Sequence, residues 1–123
     1  MAKNVLVVED SSTMRSLIVS TVEVIEDVDV TETSSGFEAL KILPHKNFDL
    51  ILTDINMPDI NGLELVKFVK TNSEYKKIPL FIISTEGSDR DRERGLDLGA
   101  DEYVIKPFKP EQLQKLIVKY LER

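Results

Sequence analysis

The sequence predicts an α/β fold in which helices cover both faces of a five-stranded parallel sheet. Short apolar runs alternate along the 123 residues with longer segments that have the spacing of amphipathic helices, which is typical of βαβ units. The runs are continuously apolar, which indicates strands that are buried on both faces. Four such strands are expected at residues 5–8, 50–52, 80–83 and 103–105.

A further strand and the first helix follow from their own patterns. Residues 28–33 alternate between apolar and polar side chains, as expected of an edge strand. From Met14 to Ile25, apolar residues recur at the i, i+3, i+4 and i+7 positions of a helix. Ser11 or Ser12 can cap this helix, because a serine hydroxyl accepts a hydrogen bond from an unpaired N–H of the first turn.

The second, third and fifth helices are marked at their first turns. Ser35 and Glu38 have the spacing of a capping box, in which each side chain accepts a hydrogen bond from a backbone N–H. Asn61 and Glu64 match that spacing more loosely. Pro110 suits the first turn of the last helix, where the missing N–H costs nothing.

The fourth helix differs because residues 88–94 are charged at nearly every position, and Gly99 is expected to end it. A helix of this composition buries little apolar area and should be among the less stable elements. A solvated face is the ordinary interpretation of such a run. A movable surface is the alternative, and the functional residues must decide between them.

Five β/α pairs predict a doubly wound sheet with the flavodoxin-like strand order 2-1-3-4-5. The length favours one domain over residues 1–123. Ligands of such sheets lie at the carboxyl ends of the strands, near the point between strands 1 and 3 where the order reverses. Functional side chains are therefore expected directly after the strands.

Composition excludes several classes of function. The net charge of −6 disfavours direct binding of nucleic acid, which requires a basic surface. The absence of cysteine excludes disulfides, thiol catalysis and cysteine-based zinc sites. No apolar run approaches the length of a membrane span, and the first residues lack the apolar core of a signal peptide. A cytoplasmic location without membrane contact is expected.

Polar side chains follow four of the predicted strands and should meet at one edge of the sheet. Each of them alone is more often a helix cap, a turn residue or a surface lysine. Together they require another explanation, because no structural need gathers three carboxylates, a hydroxyl and a lysine at one place. The residues are Glu9 and Asp10 after strand 1, Asp54 after strand 3, Ser84 after strand 4, and Lys106 after strand 5; Thr85 and Pro107 come directly after the last two.

Three neighbouring carboxylates repel one another unless a cation joins them. Ligands that are all oxygen select a hard ion, Mg²⁺ or alternatively Mn²⁺, and Mg²⁺ commonly binds carboxylates together with a phosphate oxygen. Lys106 adds a positive charge and Ser84 adds a hydroxyl donor. Asp54 is then the candidate nucleophile, since a carboxylate that attacks phosphorus forms an acyl phosphate.

These residues resemble the signature of two-component response-regulator receiver domains, and the layout is similar to that of the single-domain chemotaxis regulators. The resemblance covers nearly the whole chain, with four separated motifs in the expected order. The motifs are Glu9-Asp10 after an apolar strand, Asp54-Ile55-Asn56-Met57-Pro58 followed by Asn61-Gly62, Ser84, and Lys106-Pro107-Phe108.

The resemblance implies a role for each site residue. Asp54 would be the phosphoacceptor, and Ser84 and Lys106 would bind the phosphoryl oxygens. Asp10 would bind Mg²⁺ directly, and Glu9 would do so directly or through water. Asn56 would offer its backbone carbonyl oxygen to the metal.

The resemblance also implies a set of switch residues: Ser84, Thr85, Tyr103 and Pro107. Tyr103 would turn inward when Ser84 moves toward the phosphoryl group, although a half-buried aromatic residue on an edge strand would look the same in sequence. A cis peptide bond is expected between Lys106 and Pro107. Thr85 is a departure, since this position is usually small and its branched side chain would crowd the phosphoryl group.

The implied function is a phosphorylation-dependent signalling switch. A sensor histidine kinase or a phosphotransfer protein would donate the phosphoryl group, and a downstream protein would read the surface of helix 4, strand 5 and helix 5. Arg90, Arg94, Tyr103 and Lys109 are the expected contacts on that surface. The chain would catalyse only its own phosphorylation and dephosphorylation. It would act as a monomer or as a phosphorylation-linked dimer, and the sequence identifies neither the kinase nor the target.

Four alternatives remain. In a flavin-binding protein, Glu9 and Asp10 would repel the cofactor phosphate, and the chain has no tryptophan to stack on the ring. A metal-dependent phosphatase would need an Asp-x-Asp motif after strand 1. A phosphorylation-independent docking module is disfavoured by the intact Asp54, Ser84 and Lys106. The chain could also be a receiver cut from a larger regulator. His45 is interpreted as a solvated loop residue.

Overall fold

Five strands and five helices alternate along the residues that this computed structural model describes, 2–85 and 89–122. The strands are β1 (Lys3–Val8), β2 (Val28–Thr33), β3 (Leu50–Thr53), β4 (Leu80–Ser84) and β5 (Glu102–Ile105). The helices are α1 (Ser12–Glu23), α2 (Gly36–Ile42), α3 (Gly62–Thr71), α4 (Asp89–Asp97) and α5 (Pro110–Leu121), with a single 3₁₀ turn at Leu43–His45.

The sheet is parallel, and its strand order β2-β1-β3-β4-β5 confirms the predicted fold class. As predicted, β2 forms an edge of the sheet. Val8 pairs with Thr53 at the carboxyl ends of the central strands β1 and β3. Because Val8 and Thr53 are the last paired residues of their strands, the residues that follow them, Glu9 and Asp54, lie side by side at the edge of the sheet.

The apolar runs of β1, β3 and β4 are explained by two clusters of buried side chains, one on each face of the sheet. Leu6, Ile51 and Ile82 pack with α2 and α3 on one face. Val7 and Phe81 pack with α1 and α5 on the other. Residues that alternate along each central strand therefore enter different clusters, which explains why residues 5–8, 50–52 and 80–83 are continuously apolar. The prediction that residues 103–105 are buried on both faces was wrong, because β5 is an edge strand and Ile105 is 47% exposed.

The helices begin where the capping residues predict. Ser11 caps α1 by accepting a hydrogen bond from the backbone N–H of Met14. Asn61 caps α3 in the same way, with a distance of 2.7 Å from its Oδ1 to the nitrogen of Leu63. Pro110 occupies the first turn of α5.

The capping box of α2 forms only in part. The hydroxyl of Ser35 accepts the N–H of Glu38 at 3.2 Å, as the spacing predicts. The carboxylate of Glu38, however, accepts the backbone N–H of Ser34 at 2.9 Å. It also contacts the hydroxyl of the same serine. The glutamate therefore pairs with the residue before the cap.

Helix α4 touches the sheet mainly through Gly95, which is its buried residue. A Cβ atom at this position would lie 2.6 Å from Cδ1 of Ile82, so that glycine allows the helix to approach the sheet closely. The helix ends at Gly99, which has a φ of 110°. The N–H of Gly99 bonds to the carbonyl of Leu96, and that of Ala100 bonds to the carbonyl of Gly95, which is a Schellman motif. The predicted end is confirmed, whereas Ser88, the first residue of the charged run, lies outside the described residues.

Candidate functional site

The carboxyl ends of β1 and β3 bring three carboxylates together. One oxygen from each of Glu9, Asp10 and Asp54 lies within 4.8 Å of the others. Glu9 and Asp54 are buried, with 1% and 8% of their surface exposed, whereas Asp10 is exposed. The predicted carboxylate cluster is therefore present, with two buried members and one that is exposed to solvent.

The cluster fits a small, hard cation. All of its donors are carboxylate oxygens, the ligand type that Mg²⁺ prefers. Two oxygens on one Mg²⁺ at about 2.1 Å can be at most about 4.2 Å apart. The limit of 4.8 Å on the separation of the three carboxylate oxygens is close to this value, so that the cluster has the dimensions of a site for one small cation.

Lys106 forms an ion pair with the deepest carboxylate of the cluster. Its Nζ donates to Oε1 of Glu9 at 2.6 Å and lies 3.8 Å from Oδ1 of Asp54. The other oxygen of Glu9 accepts the backbone N–H of Ser11 at 3.2 Å. Both oxygens of Glu9 thus have protein donors, and β5 is joined to β1 through the site.

The pKa of Glu9 is raised above its ordinary value of 4.5. Burial is the main cause, because it removes water from the charged form, and the negative charge of Asp54 adds to the effect. The hydrogen bond from Lys106 opposes both without cancelling them.

Asp54 is held in place by its own backbone neighbours. Its Oδ1 accepts the N–H of Ile55 at 2.8 Å, and its N–H donates to the carbonyl of Val8 at 3.1 Å. Gly62, at the start of α3, lies directly against this segment, since a Cβ atom there would be 2.0 Å from the carbonyl oxygen of Asp54. The glycine of the Asn61-Gly62 pair thus lets the helix begin beside the site.

The other predicted site residues lie around the cluster. Ser84 ends β4 with none of its surface exposed, and its carbonyl oxygen accepts the N–H of Lys106 at 2.9 Å. Thr85 is exposed immediately after it. The Lys106–Pro107 peptide is cis, as predicted. Asn56 is exposed in the loop between β3 and α3.

Tyr103 lies on the edge strand β5. It is half-buried and packs against the apolar cluster on the α2 and α3 side of the sheet. The expected partner contacts Arg90, Arg94 and Lys109 are all exposed. His45 is exposed at the end of the 3₁₀ turn, in agreement with its interpretation as a solvated residue.

Sequence reasoning missed Arg15, which reaches the site from α1. Its Nη1 donates to the carbonyl oxygen of Glu9 at 2.9 Å, and its Nε donates to Oε1 of Glu32 at 3.1 Å. The sequence carries no strong signal for this contact, because an arginine on the first turns of a helix is ordinarily solvated. The short separation of six residues between Arg15 and Glu9 is the feature of the sequence that could have suggested this contact.

None of the helices within residues 2–85 and 89–122 combines the length and the apolar character that a membrane crossing requires.

Comparison with known proteins identifies relatives over most of the chain. The family model of the response regulator receiver domain matches residues 5–118. The chain is 41% identical over 111 residues to chemotaxis protein CheY1 of Helicobacter pylori, covering 89% of this chain and 90% of that protein. It is 42% identical over 112 residues to the CheY homolog of Campylobacter jejuni, with coverages of 89% and 85%. The structure of CheY4 from Vibrio cholerae superposes with a TM-score of 0.89 at 34% identity, covering 98% of this chain and 99% of that one.

Proposed function

The chain belongs to the response regulator receiver domain family, and from that premise we propose that it is a phosphorylation switch with Asp54 as its phosphoacceptor. Receiver domains are signalling domains of two-component systems. The observation that carries the proposal is the position of Asp54, which is buried beside two further carboxylates with the ammonium of Lys106 3.8 Å away. We further propose that residues 1–123 form one receiver domain.

The proposed chemistry is one transfer onto the protein itself. A carboxylate oxygen of Asp54 forms a bond to phosphorus, and the bond from phosphorus to the donor breaks. The leaving group, a histidine nitrogen of a kinase or phosphotransfer protein or the acetate of a small donor, takes the electron pair. The product is an acyl phosphate that water later hydrolyses. The chain thereby catalyses its own phosphorylation and dephosphorylation.

Asp10, Asp54 and the backbone carbonyl of Asn56 would hold Mg²⁺ or Mn²⁺, with Glu9 bound directly or through water. The bound ion supplies positive charge that neutralises the phosphoryl oxygens. The acidic cluster supports this assignment, because its donors are all carboxylate oxygens.

Lys106 and Ser84 would bind the oxygens of the phosphorylated aspartate. Lys106 is bonded to Glu9 at 2.6 Å, and a dianionic group on Asp54 would offer its ammonium a second partner only a short movement away. Ser84 is buried at the end of the neighbouring strand. A movement of its hydroxyl toward the phosphoryl group would change the packing next to it.

The output would be a change in the surface of α4, β5 and α5. Gly95 is the buried residue of α4, so that a shift of this helix loses little buried apolar area. Tyr103 would follow the movement of Ser84, with Thr85 and Pro107 as the other switch positions. We propose that a downstream protein binds to Arg90, Arg94, Tyr103 and Lys109.

The net charge of −6 supports a protein target over nucleic acid. A cytoplasmic location, and a monomer or a phosphorylation-linked dimer, belong to the same proposal.

The test is phosphorylation by acetyl phosphate with Mg²⁺, followed by intact-mass measurement. We expect a gain of one phosphoryl group that requires Mg²⁺ and is absent in the Asp54→Asn variant. A gain that persists in this variant would place the phosphoacceptor elsewhere. No gain with acetyl phosphate or with a kinase partner would favour a docking module that works without phosphorylation.

A further inference from the structure

Arg15 connects three elements next to the acidic cluster. It projects from the start of α1, and 21% of its side chain is exposed. Its guanidinium donates to the carbonyl oxygen of Glu9 at 2.9 Å and to the carboxylate of Glu32, on the edge strand β2, at 3.1 Å. One side chain therefore links α1, the turn after β1 and the end of β2.

The carbonyl that Arg15 binds belongs to the peptide group between Glu9 and Asp10. The ladder between β1 and β2 ends at the pair of Val8 and Thr33, and one further bond joins the N–H of Glu9 to the carbonyl of Thr33. The Glu9 carbonyl lies beyond that ladder. Its bond to Arg15 fixes the plane of the peptide from which both carboxylate side chains leave.

From this geometry we propose that Arg15 is a positioning residue for the divalent-cation site, and that Glu32 holds Arg15 in place. The inference rests on the proposed Mg²⁺ site. Arg15 touches neither the ion nor the phosphoryl group, and it acts through the Glu9–Asp10 peptide. A planar guanidinium can donate to two acceptors in fixed directions, whereas a lysine ammonium is a point charge on a flexible stem.

Electrostatics alone predicts the opposite effect from positioning. Arg15 is a positive charge beside the carboxylates that would bind a cation. If the charge were its only influence, its removal would tighten Mg²⁺ binding. If Arg15 orients the ligands, its removal weakens Mg²⁺ binding, as the loss of other outer-shell partners of metal sites does by about 10–100-fold. The sign of the change therefore separates the two roles.

The experiment measures the Mg²⁺ dissociation constant by isothermal titration calorimetry for the wild type, Arg15→Met and Arg15→Lys. Arg92→Met is the matched control, because it removes an exposed arginine from α4. We expect both Arg15 variants to raise the dissociation constant by about tenfold or more, and the control to leave it unchanged. Thermal unfolding without metal verifies that each variant is folded.

Glu32→Met tests the second half of the proposal, because methionine removes the carboxylate that accepts the hydrogen bond from Arg15. If Glu32 acts through Arg15, this change weakens Mg²⁺ binding in the wild type and adds nothing in the Arg15→Met background. An effect of equal size in both backgrounds would mean that Glu32 acts by its charge, and would refute its role in holding Arg15.

Mg²⁺ binding by Arg15→Met that is as tight as, or tighter than, that of the wild type would overturn the positioning role and leave the proposed function intact. A wild type that binds no Mg²⁺ would instead refute the metal site and this inference with it.

Discussion

At the scale of single residues, the protonation of Glu9 links the candidate site to pH. Its raised pKa means that the folded protein binds a proton at Glu9 more firmly than the unfolded chain does. As pH rises from the ordinary carboxyl pKa through the raised one, the contribution of Glu9 to stability falls. As pH falls through the same range, Glu9 becomes neutral and no longer offers a charged oxygen to a cation.

We therefore expect Mg²⁺ affinity to fall with decreasing pH, beginning above the pH at which ordinary glutamates titrate. The measurement is the Mg²⁺ dissociation constant between pH 8 and pH 5, with the Glu9→Gln variant as control. In that variant the early part of the decrease should disappear, because the titrating group is absent. An identical pH profile in both proteins would assign the dependence to another carboxylate.

At the scale of elements, two glycines set how closely helices approach the site and the sheet. Gly62 faces backbone, with the carbonyl oxygen of Asp54 2.0 Å from the position of a Cβ atom. Gly95 faces the flexible end of a side chain, Cδ1 of Ile82, at 2.6 Å. The carbonyl oxygen of Asp54 belongs to the backbone and accepts the hydroxyl of Thr53 at 3.0 Å, so that it moves aside less readily than the end of an isoleucine side chain does.

We expect Gly62→Ala to destabilise the protein by about 1–3 kcal/mol or more, which is the usual cost of forcing atoms into a packed region. Gly95→Ala should change stability by less, because the helix gains about 1 kcal/mol when alanine replaces an interior glycine. The measurement is urea unfolding of both variants. Equal losses at the two positions would contradict this account of how α3 and α4 are placed.

The helix ends show how far the sequence alone predicts local structure. The hydroxyl of Ser35 and the amide of Asn61 form their caps as predicted, because a cap depends on residues three or fewer positions apart. The hydrogen bond from the N–H of Ser34 to the carboxylate of Glu38 was not predicted. It depends on the backbone conformation of the residues that precede the helix. The contact of Arg15 with Glu9 depends in turn on how α1 lies against the end of β1.

At the scale of the whole molecule, binding of a cation to the folded state alone must stabilise the fold. An ion present at 100 times its dissociation constant adds about 2.7 kcal/mol to the free energy of unfolding. We expect the unfolding temperature to rise with Mg²⁺ concentration and to return to its starting value when the ion is removed with a chelator. Matched ionic strength in KCl controls for general screening of the net charge of −6.

The Asp10→Asn variant should show no Mg²⁺-dependent rise, because it loses the exposed ligand of the cluster. A rise of equal size in this variant would indicate that Mg²⁺ stabilises the protein at some other place.

The sheet order and the gathering of the carboxylates were also predictable at this scale. Continuous apolar strands and parallel connections leave few topologies, and they place Glu9 and Asp54 at one edge. The 2.6 Å bond from Lys106 to Glu9 was not predicted. The position of Lys106 in the sequence predicts that it lies at the site. Whether its ammonium bonds to Glu9 or to Asp54 depends on side-chain conformations, which the spacing of residues does not predict.

That bond joins residues 97 positions apart, which has a consequence for how the protein folds. Closing a loop of this length costs chain entropy that the pair alone does not recover, so that we expect the strands between the two residues to pair before this bond forms. Until β5 is added, the Glu9 carboxylate lacks its Lys106 partner. We therefore expect the ion pair of Lys106 with Glu9 to be among the last features of the site to form.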